Sequence, residues 1–276
     1  MTGIRFIEPR FVPRIWGRRD LSPWYPAHRG GEAIGEVWLS PPEGPVLIKL
    51  LFPEQPLSVQ VHPDDAYAAA HGLGRGKSEA WYVVEAAAGA KLGVGLRAGV
   101  DLAQLEAACR AGRGAECLGW LTVEAGEVIN VPAGTVHAIG PGVVLFEVQQ
   151  SSDATFRLDD YGRGRELHLE AGMAVARADT AAGKVTPQAE RGTSTLLLAT
   201  EHFRLWRHRA GRAWRLPAAV ETRWLISLRE NDLIPRGQLA ELAPHTQVTS
   251  ATGGEWLEIR SGLASARHDE TVPTPV

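Results

Sequence analysis

Gln60 and His62 stand two residues apart in the segment SVQVH, so on a β-strand both side chains leave one face while Val59 and Val61 leave the other. Sheets present metal ligands in this way. A strand histidine is more often a core or surface group, so the pair needs support from elsewhere in the chain. His137 ends the segment GEVINVPAGTVH, in which Gly126 opens a strand, Pro132 closes it and Gly134 permits a tight turn. Two histidines offer nitrogen ligands, and zinc in a catalytic site adds a carboxylate while keeping one position open. Glu79, at the head of the apolar run EAWYVV and just after a glycine-bounded loop, is the best-placed carboxylate.

The elements that must position these groups are mostly strands. From Gly35 to Val61 short apolar runs alternate with Pro41, Pro42, Gly44, Pro53 and Pro56, the pattern of antiparallel sheet. Asp64 to His71 is alanine-rich and stops before Gly72, which predicts one or two helical turns. A second helix starts at Asp101, where Gln104 completes a capping box, Leu102, Leu105 and Ala108 recur at helical spacing and Gly112 ends the run. Strands resume over Glu127 to Val131 and Val143 to Gln149. Ala171 to Gly192 is polar and weakly patterned, and FRLWRHR, RWLISLR and EWLEIRS follow it as short alternating strands. The expected organisation is a metal-binding domain over 1–170, a connection over 171–192 and a smaller β domain over 193–276.

Composition agrees with a strand-rich chain. The 276 residues are 44% hydrophobic, enough for a large core without staples, and 30 glycines with 18 prolines favour turns over long helices. Lysine and arginine total 29 against 32 acids, so the net charge of -3 offers no field to draw in nucleic acid or anionic membrane. No run approaches the roughly 20 apolar residues of a membrane helix, and no signal-peptide pattern opens the chain. Cys109 and Cys117 are too few for a zinc ribbon. A reduced, cytoplasmic protein is expected.

GEVINVPAGTVH matches the second cupin motif, G-x5-P-x-G-x2-H, without a gap, and His137 falls on that motif's histidine ligand. The chain resembles type I mannose-6-phosphate isomerases of the shorter bacterial form. LSVQVHPDDAYAAAH, GKSEAWYVV, PAGTVHAIG and EVQQSSDATFRLDDYGR carry the resemblance, in that order, together with PRIWG and GEVWLS near the start. It covers the chain through about residue 165.

The resemblance implies a mainly β fold: a cupin jelly-roll barrel, a second, smaller β-barrel-like domain and a few short helices. It implies one Zn2+ per chain on Gln60, His62, Glu79 and His137, with Arg157 as a catalytic arginine. The activity implied is interconversion of mannose 6-phosphate and fructose 6-phosphate through a cis-enediol, in a monomer or homodimer with a sugar phosphate as its partner. Other metal cupins, such as dioxygenases or other sugar-phosphate isomerases, and a non-catalytic sugar-binding cupin are the alternatives.

Further residues suit that chemistry. Lys77 shares strand parity with Glu79, which brings an ammonium beside the carboxylate. Glu147 interrupts VVLFEVQQ on the face of Val143, Leu145 and Gln149, where a carboxylate is costly unless it has a partner or a task, and it is the candidate base. Asp153 and Arg157 follow in the loop SSDATFR, and His71 precedes the loop GLGRGK. Asp153 and His71 are candidates for substrate contact. His202, His208, His245 and His268 have no ligand partners at useful spacing, so the second domain is assigned no metal.

Overall fold

The strands Val46–Leu51, Glu79–Ala86 and Val143–Gln150 are apolar on both faces because both faces are covered. Ile48, Leu50, Ala80, Tyr82, Val144, Phe146 and Val148 point one way, into a core shared with Leu205, Trp224, Ile226, Leu257 and Ile259 of the second half. Leu51, Trp81, Val83, Val143 and Leu145 point the other way, into the first barrel. The alternation that separates two faces of a strand is therefore an alternation between two cores.

The structure is a computed structural model that describes residues 3–40, 44–187, 189–211 and 213–262, and the backbone alone of 274–275. Among the described residues four antiparallel sheets form two barrels. The first barrel sets a seven-stranded sheet, ordered Gly183–Lys184, Val128–Val131, Glu79–Ala86, Val143–Gln150, Val46–Leu51, Arg29–Trp38, Arg10–Asp20, against a five-stranded one. The latter runs Phe156–Asp159, Val59–Val61, His137–Ile139, Lys91–Leu96, Leu118–Thr122. In the second barrel a seven-stranded sheet stacks its outer face on the first barrel and covers its inner face with a three-stranded sheet, around Trp214, Leu225, Val248 and Trp256.

Both expected helices form. Asp64 caps Asp65–Ala70 by accepting from the Tyr67 amide, and Asp101 with Gln104 makes the reciprocal capping box at the start of Leu102–Arg110. Two boundaries read differently in space than along the chain. Ile4–Ile7 pairs with Leu239–Leu242, so the first strand joins a sheet of the second half. The stretch expected as a connection holds the end of a helix, Leu169–Val175, and Gly183–Lys184, which extends the first barrel beside Ile129 and Asn130. Elements of seven and two residues are too short to impose a period on the sequence.

Candidate metal centre and its cavity

Three buried side chains converge inside the first barrel. His62, Glu79 and His137 bring ligand atoms within 4.8 Å of one another, the one such group among the described residues. Val59–Val61 and His137–Ile139 are paired with Gln60 opposite His137, and Gln60 Nε2 lies 3.2 Å from His137 Nε2. Glu79 arrives from the opposing sheet, with Oε2 3.4 Å from His62 Nε2 and Oε1 3.4 Å from His137 Nε2. Gly134, at φ +85°, makes the turn that PAGTVH requires, and its amide donates to the His62 carbonyl at 2.9 Å. One hydrogen bond thus ties the two histidine segments together.

The donor set suits a metal. His62 Nδ1 donates to the Ala154 carbonyl at 3.0 Å and His137 Nδ1 to the Thr135 carbonyl at 2.9 Å. A carbonyl can only accept, so each Nδ1 carries the hydrogen and each Nε2 turns a lone pair to the centre. Burial, then the Lys77 charge, pulls His62 down to about 3, and burial lowers His137 as well, so both rings are neutral at pH 7. Burial alone would raise Glu79, but Lys77 and His62 hold it well below the usual carboxylate range. Glu79 Oε1 accepts from Trp81 Nε1 at 3.0 Å, whereas Oε2 is buried with no well-formed hydrogen bond. That carboxylate oxygen beside two neutral imidazole nitrogens fits a divalent cation.

Lys77 sits against this group, Nζ 3.2 Å from Glu79 Oε2 and 3.0 Å from His62 Nε2. Its position depends on Gly76, where a Cβ would come within 2.5 Å of the Asp64 backbone, and whose amide donates to Asp65 Oδ1 at 2.8 Å. Burial opposes the Lys77 charge, but Glu79 and Glu147 raise its pKa above the ordinary lysine value. The ammonium therefore persists at neutral pH.

A cavity of about 480 Å³ is lined in part by Gln60 and Lys77, the side chains that touch His137 and the His62–Glu79 pair. Arg14, Lys49, Lys77, Arg157 and Arg165 line it against Glu36, Glu147 and Asp153, an excess of positive charge suited to an anionic ligand. Glu147 projects from the face foreseen for it, and its partner is Lys49, directly opposite on the neighbouring strand and 3.0 Å away. Burial and the Glu79 charge push Glu147 up from its ordinary value. Lys49 escaped sequence reasoning, although a lysine inside VLIKLL carries the same signal that singled out Glu147. Glu36 escaped it too. Burial would raise its carboxyl, but Lys49 and Arg14 hold it below the ordinary value, and it accepts from Arg14 at 2.8 Å and Trp38 at 2.7 Å.

Arg157 corrects one expectation: it lies within the strand Phe156–Asp159, opposite Gln60, and not in a loop. Its Nη1 donates to the Glu166 carbonyl at 2.7 Å, and its side chain lines the cavity. Asp153 is exposed at the cavity wall. His71 is not brought to the site. It follows the helix Asp65–Ala70, exposed, stacked on Tyr67 at 3.8 Å and bonded to the Tyr67 carbonyl, which turns its ring back on its own helix. In the second barrel His208 is buried against Glu258, His202 is half-buried and His245 exposed, while His268 lies outside the described residues.

The two-barrel fold and a buried His-Glu-His cluster define a cupin with a candidate metal site. The chain matches no family model. Mannose-6-phosphate isomerase ManA of Bacillus subtilis (strain 168) is 34% identical over 211 residues, 62% of this chain and 67% of that protein. The probable mannose-6-phosphate isomerase GmuF of the same organism is 32% identical over 217 residues, 63% of this chain and 69% of its own. The crystal structure of the Bacillus subtilis mannose 6-phosphate isomerase superposes with a TM-score of 0.78 at 22% identity, covering 94% of this chain and all, 100%, of the other. A mannose 6-phosphate isomerase bound with zinc and yttrium gives 0.73 at 15% identity, over 95% of this chain and 100% of that one. The chain belongs to the mannose-6-phosphate isomerase family.

Proposed function

We propose that the chain is a zinc-dependent aldose-ketose isomerase interconverting mannose 6-phosphate and fructose 6-phosphate, with one metal held by Gln60, His62, Glu79 and His137. The observation that carries this reading is the junction of a nitrogen-and-oxygen metal seat with a cavity rich in cations. When bound, zinc supplies Lewis-acid polarisation to the sugar oxygens beside the reacting carbons. Relatives that share 34% and 32% identity are named for this reaction.

The chain's own residues have complementary tasks in this reading. Isomerisation moves a proton between C1 and C2, and negative charge grows on the two sugar oxygens. Glu147, raised by burial and pinned by Lys49, suits a group that takes a proton and returns it. Lys77, kept cationic by Glu79 and Glu147, is a donor toward the developing oxyanion. Arg157 adds a planar guanidinium on the same cavity wall. Residues 193–276 supply stability and no catalytic group. The two buried free cysteines suit a reducing, cytoplasmic setting.

Purified protein loaded with zinc should convert mannose 6-phosphate to fructose 6-phosphate, lose activity on chelation and regain it when metal returns. Binding of the sugar phosphate without turnover would overturn the isomerase reading in favour of a sugar-binding cupin.

A further inference from the structure

The segment Asp159 to Arg165, DDYGRGR, turns back on itself immediately after the strand that carries Arg157. Tyr161, Gly162 and Gly164 all take positive φ, at 53°, 73° and 77°, and the glycines adopt this region freely whereas a tyrosine is held there by its surroundings. The loop closes around one carboxylate. Asp160, 4% exposed, accepts at Oδ1 from Arg163 Nη2 at 2.8 Å and Arg165 Nη2 at 2.5 Å, and at Oδ2 from Arg165 Nε at 2.8 Å.

Both oxygens of Asp160 are thus used to fix the plane of the Arg165 guanidinium. Arg163 does not line the cavity, and its Nη1 donates to the Pro56 carbonyl at 2.9 Å. Arg165 lines the cavity beside Arg157. Burial, then the charge of Arg165, lowers the Arg157 pKa, so two like charges are held close together. Arg157 Nε is buried without a hydrogen-bond partner among the described residues. Two crowded guanidinium groups with spare donors fit an anion with several oxygens.

We propose that Asp160 is a positioning residue that holds Arg165 as the second guanidinium, beside Arg157, of a seat for the phosphate of the substrate. The inference deepens the isomerase reading and rests on it for the identity of the substrate. Arg165 contacts the phosphate. Asp160 acts only through Arg165 and touches no substrate.

The test compares wild type, Arg165→Ala, Arg165→Lys, Asp160→Asn and the double variant Asp160→Asn/Arg165→Ala, all loaded with zinc. Two readouts are taken: steady-state kinetics with mannose 6-phosphate, and calorimetric affinity for inorganic phosphate, which needs no turnover. Arg165→Ala should raise KM and weaken phosphate binding by about tenfold with kcat little changed, as for loss of a charge-assisted pair. Arg165→Lys, keeping charge but losing the fork, should fall between. Asp160→Asn should show the same KM-weighted loss, and the double variant should be no worse than Arg165→Ala alone. A wild-type phosphate affinity retained in Arg165→Ala, or additive losses in the double variant, would overturn the proposal. The single arginine variants keep the first arm decisive even where Asp160→Asn fails to fold. Phosphate binding that depends on Arg165 in a wild type without isomerase activity would reject the isomerase reading while leaving the anion seat intact.

Discussion

Gln60 and Arg157 are direct register partners on adjacent antiparallel strands, and Gln60 is also the partner of His137 on its other side. One row across three strands therefore links Arg157 to His137 of the candidate metal centre. Arg157→Ala should reduce transition-state stabilisation by about 2 to 4 kcal/mol, typical of losing one preorganised donor, with zinc content unchanged. Because Arg157 shares its wall with Arg165, a rise in KM with kcat held would assign it to the phosphate, and a fall in kcat to the developing charge. Wild-type kinetics in both Arg157→Ala and Arg157→Lys would refute either role.

His62→Ala and His137→Ala each remove one Nε2 from a seat with few ligands, so metal occupancy and activity should fall together. The fold should persist. Both rings are flanked by barrel strands with their own apolar core, including Val59, Val61 and Ala138. Metal analysis of folded, purified variants checks this, and full zinc content in both would remove the assignment.

The pair Lys49 and Glu147 is about 5% exposed at each side chain, so solvent screening does little to weaken it. Replacing Lys49 by Met leaves Glu147 buried beside Glu79 with less positive charge around it. Its pKa, already raised, should rise further, and the acidic limb of kcat/KM should move to higher pH if Glu147 is the base. Lys49→Arg should keep the limb near its wild-type position. An unshifted limb in folded, zinc-loaded Lys49→Met would remove Glu147 from that role.

The cluster of His62, Glu79 and His137 was legible because each member sits in its own local motif: parity with Gln60 for His62, a turn and proline for His137, a strand start for Glu79. Contacts set by distant pairing were not. Ile4–Ile7 finds Leu239–Leu242 across nearly the whole chain, and nothing in IRFI names that partner. Arg157 read as loop because Phe156–Asp159 is a four-residue strand with no alternation in its burial. His71 failed for a different reason: proximity in sequence to a glycine-rich loop says nothing about which way a ring at a helix end will turn.

The histidines of the second barrel separate stability from catalysis. His202→Ala and His245→Ala change half-buried or exposed groups and should leave kcat and melting temperature nearly unaltered. His208 is different, bonded through Nδ1 to Ser194 Oγ at 2.8 Å and through Nε2 to Glu258 at 2.7 Å, both partners buried. His208→Ala should lower the melting temperature while the surviving folded enzyme keeps its kcat. A large fall in kcat without unfolding would show that this barrel contributes to the site.

Glu258 is a buried carboxylate of the second barrel. Burial would raise its carboxyl, but the His208 hydrogen bond and then Arg260, with Arg223 behind them, hold it far below the ordinary glutamate value of 4.5. Arg260 Nε is 2.8 Å and Arg223 Nη1 3.3 Å from Oε1. A folded-state pKa below the unfolded one means that the unfolded chain binds the proton first as pH falls. The stabilisation is therefore complete above the unfolded value near 4.5 and is lost as pH drops from there toward the folded value. Glu258→Gln removes the titrating group and takes from buried Arg223 its carboxylate partner, while Arg260 keeps Glu221, at a cost of about 3 to 5 kcal/mol at neutral pH. Thermal melts from pH 7 to pH 3 should show a lower plateau for the variant and a shallower acid decline than wild type. Parallel curves for the two proteins would mean that other carboxylates govern acid unfolding.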